Sequence, residues 1–427
     1  MHNVRHCLGR NIKPRRRKWG VMLQRKADCR ALARRAIVVP FTLMAVFLFI
    51  ATASQPAQSQ TYKVIYNFTG IGTDGANPYG GPILLNGNLY GTTYLGGSEG
   101  NGTVYRLSPS GSSWKHTSLY SFNGPPDGAG PGFGSLALGP DGALFGTTEG
   151  GGYFGSDFEI CSCKGKEVQI HQFGRGTDGA QPLGGVVLDS AGNFYGTANL
   201  GGTLGDGTVF EEKKSGNKWT EITLYNFTGG NDGINPEAGV TLDAHGNLYG
   251  TTSTGGADGD GVVYKLSRHG SSWKQTVLHT FHGKNDGANP VGGLVLDKAG
   301  NLYGGTFDGG VNGGGVVYKL SPSSKGWKFT TLYSLTGGYG GPYNKLTLAN
   351  GNIYGFTEAE GANGFGSVFK LVPGKSGWTF TDLYDFVGGS EGAQPYGSLA
   401  VDKDGNVFGT TNTGGSQNQG LVFEITR

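Results

Sequence analysis

The sequence predicts an all-β chain, a seven-bladed β-propeller of four-stranded antiparallel blades, with the ring closed by the N-terminal strand joining the last blade. Three observations lead there. A closing aromatic or Leu recurs at Phe68, Phe122, Phe173, Phe227, Phe281, Leu335 and Phe386, always 51 or 54 residues apart. A second ruler, the aromatic before a mid-repeat Gly, keeps step at Tyr90, Phe145, Tyr195, Tyr249, Tyr303, Tyr354 and Phe408. Each copy holds four short strand-like runs punctuated by Gly, Asn, Asp and Pro, and no stretch past residue 60 has sustained helical periodicity. Repeated four-stranded units of this kind build propellers, whereas a β-solenoid would use shorter coils without the hairpin punctuation.

The elements follow in order within a copy. The first run is nearly all apolar, as in Gly184-Gly-Val-Val-Leu-Asp189, which suits a strand buried on both faces. An Asp-x-x-Gly-Asn turn follows at Asp189 to Asn193, Asp243 to Asn247, Asp297 to Asn301 and Asp402 to Asn406. The second run is Asn193-Phe-Tyr-Gly-Thr197, the third Thr208-Val-Phe-Glu-Glu212, and the fourth spans Trp219 to Phe227. Glycine doublets such as Gly184-Gly185 and Gly292-Gly293 precede first strands, where blades crowd at the axis and only Gly lets backbones approach. Trp114, Trp219, Trp273, Trp327 and Trp378 recur at the start of the fourth run, an expected packing role. The array begins with a lone fourth-type strand, Tyr62 to Phe68, and ends after a third-type strand, Leu421 to Ile425. Pairing these two completes the last blade and removes an exposed edge.

Residues 1–53 read as a signal peptide, 54–61 as a linker and 62–427 as the propeller. The leader, residues 1–35, has twelve Lys or Arg and one acid; an apolar run from Ala36 to Ile50 and the small residues Ala51-Thr-Ala53 follow, the order of an export signal. The apolar run is short for a membrane span, so the expected location is secreted, periplasmic or cell surface, with membrane contact only through an uncleaved N-terminal segment. Without the leader, 22 basic and 30 acidic residues remain, a net charge near −8. That argues against nucleic acid, whose phosphates need a basic face. A monomer is expected. Cys161 and Cys163 sit in the least regular copy, two residues apart. A strained disulfide or thiols are the expected states, ahead of a metal site.

The words Asn88-Leu-Tyr-Gly-Thr-Thr-Tyr-Leu-Gly-Gly97 and Gly102-Thr-Val-Tyr-Arg-Leu107 recur at Leu248 to Gly256 with Gly261 to Leu266, and at Val407 to Gly415 with Gly420 to Ile425. Together they resemble the repeat of bacterial choice-of-anchor tandem repeat (GloVer) proteins, over about residues 62–427. The resemblance implies exported proteins and brings no catalytic residues to transfer. More loosely, the Gly-Gly, Tyr and Trp spacing is similar to kelch repeats, and the Asp-x-x-Gly-Asn-Leu-Tyr word to NHL-type blades; both imply a propeller.

Chemistry has two candidate homes. The fourth-to-first loops carry Asp74-Gly-Ala-Asn77, Asp178, Asp232 to Asn235, Asp286 to Asn289 and Glu391. A closed ring gathers these loops on one face, where carboxylates and amide oxygens offer a ligand-binding set for Ca²⁺ or a glycan; Asp-Gly and Asn-Pro are also ordinary turn formers. The other home is the departures from the repeat: Glu149, Asp157, Glu237, Asp308, Glu358 and Glu360. The segment Asp258-Gly-Asp-Gly261 resembles half a calcium loop but lacks the downstream Glu. His116, His171, His245, His269, His279 and His282 form no ligand motif, and strand alternation puts His279 and His282 on opposite faces. No nucleophile elbow, phosphate loop or zinc-protease motif is present. The leading expectation is a secreted binding or scaffold module for carbohydrate, an envelope polymer or a surface protein. The alternatives are a lyase or hydrolase acting on glycans or lactones, and a structural adhesion protein.

Overall fold

Seven antiparallel blades make up the propeller in the computed structural model, which describes residues 60–161, 167–174, 177–216, 218–337 and 340–426; six are four-stranded sheets, and the sheet of blade 2 gains a fifth short strand, Ala129–Pro131. The proposed signal peptide and the Cys161–Cys163 pairing lie outside the described residues in whole or in part. Blades 1 to 6 are contiguous in sequence. Blade 4 is representative, with strands Thr241–Leu242, Leu248–Thr252, Val262–His269 and Ser272–Thr280 from axis to rim. Blade 7 takes Ala400–Val401, Val407–Thr411 and Leu421–Thr426 from the end of the chain and its outer strand, Thr61–Asn67, from the beginning. The register runs from Thr61 opposite Thr426 to Asn67 opposite Leu421. Among the described residues the one helical element is a 3-10 turn, Gly389–Glu391.

The repeated word Tyr-Gly-Thr-Thr now reads as four contacts. The Gly faces an aromatic on the third strand: a Cβ on Gly250 would stand 2.3 Å from the Tyr264 hydroxyl oxygen, and on Gly196 2.5 Å from Phe210. The first Thr reaches the next blade, as when Thr251 Oγ1 donates to Gly292 O at 3.0 Å and Thr197 Oγ1 to Ala238 O at 2.9 Å. The second Thr stays at home, sharing a hydrogen bond with the third strand (Thr93 with Thr103, 2.8 Å). The Tyr or Phe packs on the next blade, whose outer-strand Trp covers it, as Trp327 does Tyr249 at 6.0 Å and Trp219 does Phe145 at 6.0 Å. Tryptophan is packing, as its position implies. In blades 1, 4 and 5 the third-strand aromatic is Tyr105, Tyr264 or Tyr318, fully buried with a hydroxyl that has no partner; blades 2, 3, 6 and 7 carry Phe there. A lone buried hydroxyl costs stability, so Tyr264→Phe should leave the thermal midpoint unchanged or raise it, by up to about 1 kcal/mol in unfolding free energy.

The inner strands are shorter than the sequence implies. Only Val187–Leu188 of the run 184–189 is hydrogen-bonded as strand. The glycines before it converge on the axis, where neighbouring backbones touch directly: a Cβ on Gly239 would stand 1.7 Å from Gly185 O. Converging blades leave no width for a ladder there, and a side chain at Gly239 would force them apart.

Each interface between blades has its own apolar cluster. In six of the seven, one buried Val from the earlier blade's third strand meets a buried Leu or Ile from the later blade's, for example Val209 with Leu266 and Val263 with Leu320. The interface between blades 2 and 3 departs at both positions, where Asp157 and Glu212 take the places of Val and Leu. Both are fully buried, and none of their four carboxylate oxygens has a hydrogen bond. Burial, then the neighbouring Glu212 and Glu221 charges, raise the Asp157 pKa well above the carboxylate range. Burial first, then Glu221 and Asp178, push Glu212 to about 8. His171 stands beside them, its Nε2 2.9 Å from Asp178 Oδ2 and its Nδ1 3.9 Å from Glu212 Oε1.

Candidate site at the channel mouth

The loop face carries the fourth-to-first and second-to-third connections, and within each blade the two pair with one another, as in the bridges Ile234 to Thr254 and Ala288 to Asp308. The acids and amides of the fourth-to-first loops are engaged in holding that face together. Asp74 accepts from Thr69 N and Oγ1 and from Gly75 N, at 2.7–2.9 Å. Asp232 accepts from Thr228 N and Oγ1 and from the Tyr225 hydroxyl, at 2.7–2.9 Å. Asp178 pairs with His171, Asp286 with His279 Nε2 at 3.0 Å, and Glu391 with the Tyr384 hydroxyl. Asn77, Asn235 and Asn289 adopt left-handed backbone with φ of 53°, 57° and 54°. Their amide N–H groups donate to the preceding blade at Gln419 O, Asp206 O and Asp260 O. Side-chain amides add Asn77 to Asn412 O, Asn235 to Asn199 O and Asn289 to Asp308. Each loop is therefore a staple between blades. Among the described residues no group of three or more His, Cys, Asp or Glu side chains is arranged to hold a metal ion.

His279 and His282 correct the alternation expected for them. The strand ends at Thr280, so His282 turns back: its backbone N–H donates to Asp286 and its Nδ1 meets Asp258, with the two imidazole rings 6.4 Å apart.

The departures from the repeat divide. Asp157 is in the interior, Asp308 is held by Asn289, and Glu360 lies against Gly314 and Gly337 away from the axis. Glu149, Glu237 and Glu358 converge on the channel mouth. The residue after each loop Pro forms one tier there (Tyr79, Leu183, Glu237, Val291, Tyr343 and Tyr396, with Phe133 after Gly132), and the third residue after the mid-repeat Gly forms another, including Tyr94, Glu149 and Glu358. Tyr79 stands 4.7 Å from Phe133 and 5.2 Å from Tyr396, and Tyr343 5.4 Å from Tyr396, ring centre to ring centre. Phe133 of blade 2 and Tyr343 of blade 6 are 6.3 Å apart. The Tyr94 hydroxyl donates to Glu149 at 2.9 Å, and the Tyr396 hydroxyl to Glu358. Burial, then the charges of Glu237 and Glu358, then Tyr79 and Glu149, push the Tyr343 hydroxyl up to about 12. All three carboxylates thus act on one phenol. Burial also raises the Glu237 carboxyl, against a hydrogen bond with Ser253.

These aromatic and acidic side chains are half-buried, each presenting part of its surface at the mouth. Below them a cavity of about 380 Å³ runs along the channel, from Phe133, Glu237 and Tyr343 to Val187, Val295 and Leu348. A groove of about 360 Å³ opens sideways over blades 1 and 2, sharing Tyr94 and Glu149 and adding Tyr153, Phe154 and Gln181. The sequence marks the three glutamates as departures; it does not show that the aromatics of blades 1, 2, 6 and 7 gather beside them, because Tyr79, Tyr343 and Tyr396 look like ordinary repeat variation after Pro.

The family model of the Gloeobacter/Verrucomicrobia repeat matches residues 51–243, 153–276 and 239–427. No curated protein matches the chain. Solved structures similar to it include a candidate 6-phosphogluconolactonase from Bacteroides uniformis (12% identity, 73% of this chain and 85% of that one, TM-score 0.47). A protein of unknown function from Dyadobacter fermentans (12%, 86% and 98%, 0.44) and a gluconolactonase from Xanthomonas campestris (12%, 69% and 85%, 0.42) are similar too. Likenesses this distant carry no functional information.

Proposed function

The chain belongs to the Gloeobacter/Verrucomicrobia repeat family, and for this member we propose a carbohydrate-binding propeller that takes a sugar at its channel mouth and works outside the cytoplasm. The observation that carries the reading is the clustering of Tyr79, Phe133, Tyr343 and Tyr396 with Glu149, Glu237 and Glu358 at the end of one channel. A pyranose has an apolar C–H face and a rim of hydroxyls. Aromatic rings suit the face, and carboxylates already accepting from tyrosine hydroxyls suit the rim. A concave site of a few hundred Å³ with few convergent polar groups is the usual form of a small-ligand pocket. The basic leader and apolar run support export.

Glycan-array screening followed by calorimetry tests this. Tyr343→Ala should weaken the best ligand about tenfold or more, roughly the loss of one stacked ring. Asp232→Asn, at a loop staple, should lower the thermal midpoint and leave affinity unchanged. Equal affinities for wild type and Tyr343→Ala would defeat the reading. The raised Glu237 carboxyl favours one alternative, a glycan lyase or hydrolase using Glu237 as proton donor; turnover abolished by Glu237→Gln would establish it.

A further inference from the structure

Two residues beyond Tyr343 the repeat breaks in a way that no packing need explains. Blades 1 to 5 and 7 carry Gly81, Ser135, Gly185, Gly239, Gly293 and Ser398 at this level of the channel wall; blade 6 carries Lys345, preceded by Asn344. Asn344 Nδ2 donates to Phe133 O at 2.8 Å, bridging from blade 6 to blade 2. Lys345 reaches to blade 4, where its Nζ donates to Thr241 Oγ1 at 3.3 Å. Thr241 Oγ1 in turn donates to Leu294 O, so it accepts the lysine with its free lone pair. Lys345 lines the 380 Å³ cavity. Among the described residues its ammonium has no carboxylate within 4.0 Å, and burial alone lowers its pKa. Lys345 is half-buried; an ammonium facing the channel with one long hydrogen bond is poorly compensated, and the space it faces is large enough for the group that would relieve it.

We propose that the channel interior receives the anionic end of a ligand, a carboxylate or phosphate, on Lys345 Nζ. Given the sugar site proposed at the mouth, on which this extension rests, the ligand is an acidic oligosaccharide. Glu237 lies four residues before Thr241, on the segment that leads from the mouth to the inner strand Thr241–Leu242, and four residues reach at most about 14 Å, which leaves room for two linked sugar rings. The polarity along the channel fixes direction. Carboxylates at the mouth accept from sugar hydroxyls and repel an acid, while the ammonium within attracts it, so the charged end goes in first.

Lys345→Ser is the informative variant, because Ser135 and Ser398 already occupy this position in other blades. Calorimetry on the full chain would compare an aldobiouronic acid with its neutral disaccharide. Inorganic phosphate against chloride at constant ionic strength, read as thermal midpoint, probes the anion pocket without a sugar. The acid should bind wild type at least about tenfold more tightly than the neutral sugar, the effect of one charge-assisted contact, and Lys345→Ser should erase the difference. Phosphate should raise the midpoint of wild type and not of the variant. If phosphate stabilises through Lys345 while neither disaccharide binds, the anion pocket stands and the sugar at the mouth falls. Equal phosphate response in both proteins, or an acid preference that survives Lys345→Ser, overturns the proposal.

Discussion

Replacing Asp157 with Val and Glu212 with Leu together should raise the unfolding free energy by about 2–4 kcal/mol, the gain when buried carboxyls without hydrogen-bond partners give way to fitted apolar groups. The two changes restore the pair that the other six interfaces use. The single variants should each do less, because each leaves the other carboxyl buried among apolar groups, and the coupling between neighbours makes their effects non-additive. The pH dependence should change with them. In the folded protein Asp157 and Glu212 keep their protons where the unfolded chain has lost them, Glu212 until about pH 8. The native state therefore binds more protons, and wild-type stability falls as pH rises from the ordinary carboxylate range, with the Glu212 contribution complete by about pH 8. Glu221, pushed by burial to about 7, stays behind in the variant and leaves a shallower slope. Urea unfolding at pH 6 and pH 8 measures both effects. A double variant less stable than wild type at pH 8 would mean the acids serve the fold in a way their unpaired oxygens do not suggest.

Deleting residues 61–68 should be the most damaging small change, costing more than about 5 kcal/mol, beyond the usual loss for one large buried aromatic. It removes the outer strand of blade 7 and bares the edge of Leu421–Thr426. It also strips Ile65 and Phe68 from one apolar cluster, and Tyr62, stacked 3.9 Å from Tyr384, from another. Circular dichroism melting should show a lowered midpoint or no cooperative transition, and a synthetic peptide of residues 61–68 should recover part of it. Undiminished melting would mean the other six blades hold the ring unaided.

The repeat made the architecture legible because each word has a contact behind it. Gly250 faces Tyr264, Thr251 reaches Gly292, and Trp327 covers Tyr249, so periodic residues report periodic packing. The site was harder to read for the same reason. Asp74 and Asp232 recur because turns recur, and they are held by loop N–H and hydroxyl groups. Glu149, Glu237 and Glu358 stood out as departures, yet Asp157 stood out equally and lies in an interface. The difference is one of place in the blade: the three glutamates stand in or beside the loops that meet at the axis, whereas Asp157 is in a third strand packed against the next blade. Lys345 stands where six blades have Gly or Ser, but one exception among spacer positions carries no linear sign that it faces a channel.

The latch in blade 7 also sets an order of events. Blades 1 to 6 are built from neighbouring residues and can assemble as loops of modest length close. The pairing of Thr61 with Thr426 joins residues at opposite extremes of the propeller sequence. Its closure entropy grows only slowly with that length, but it has no partner until the final strand exists. During synthesis the first strand of the propeller must wait, unpaired, for the last. A chain stopped a few residues short would hold six finished blades around an open seam, with two unmatched strand edges for other chains to find.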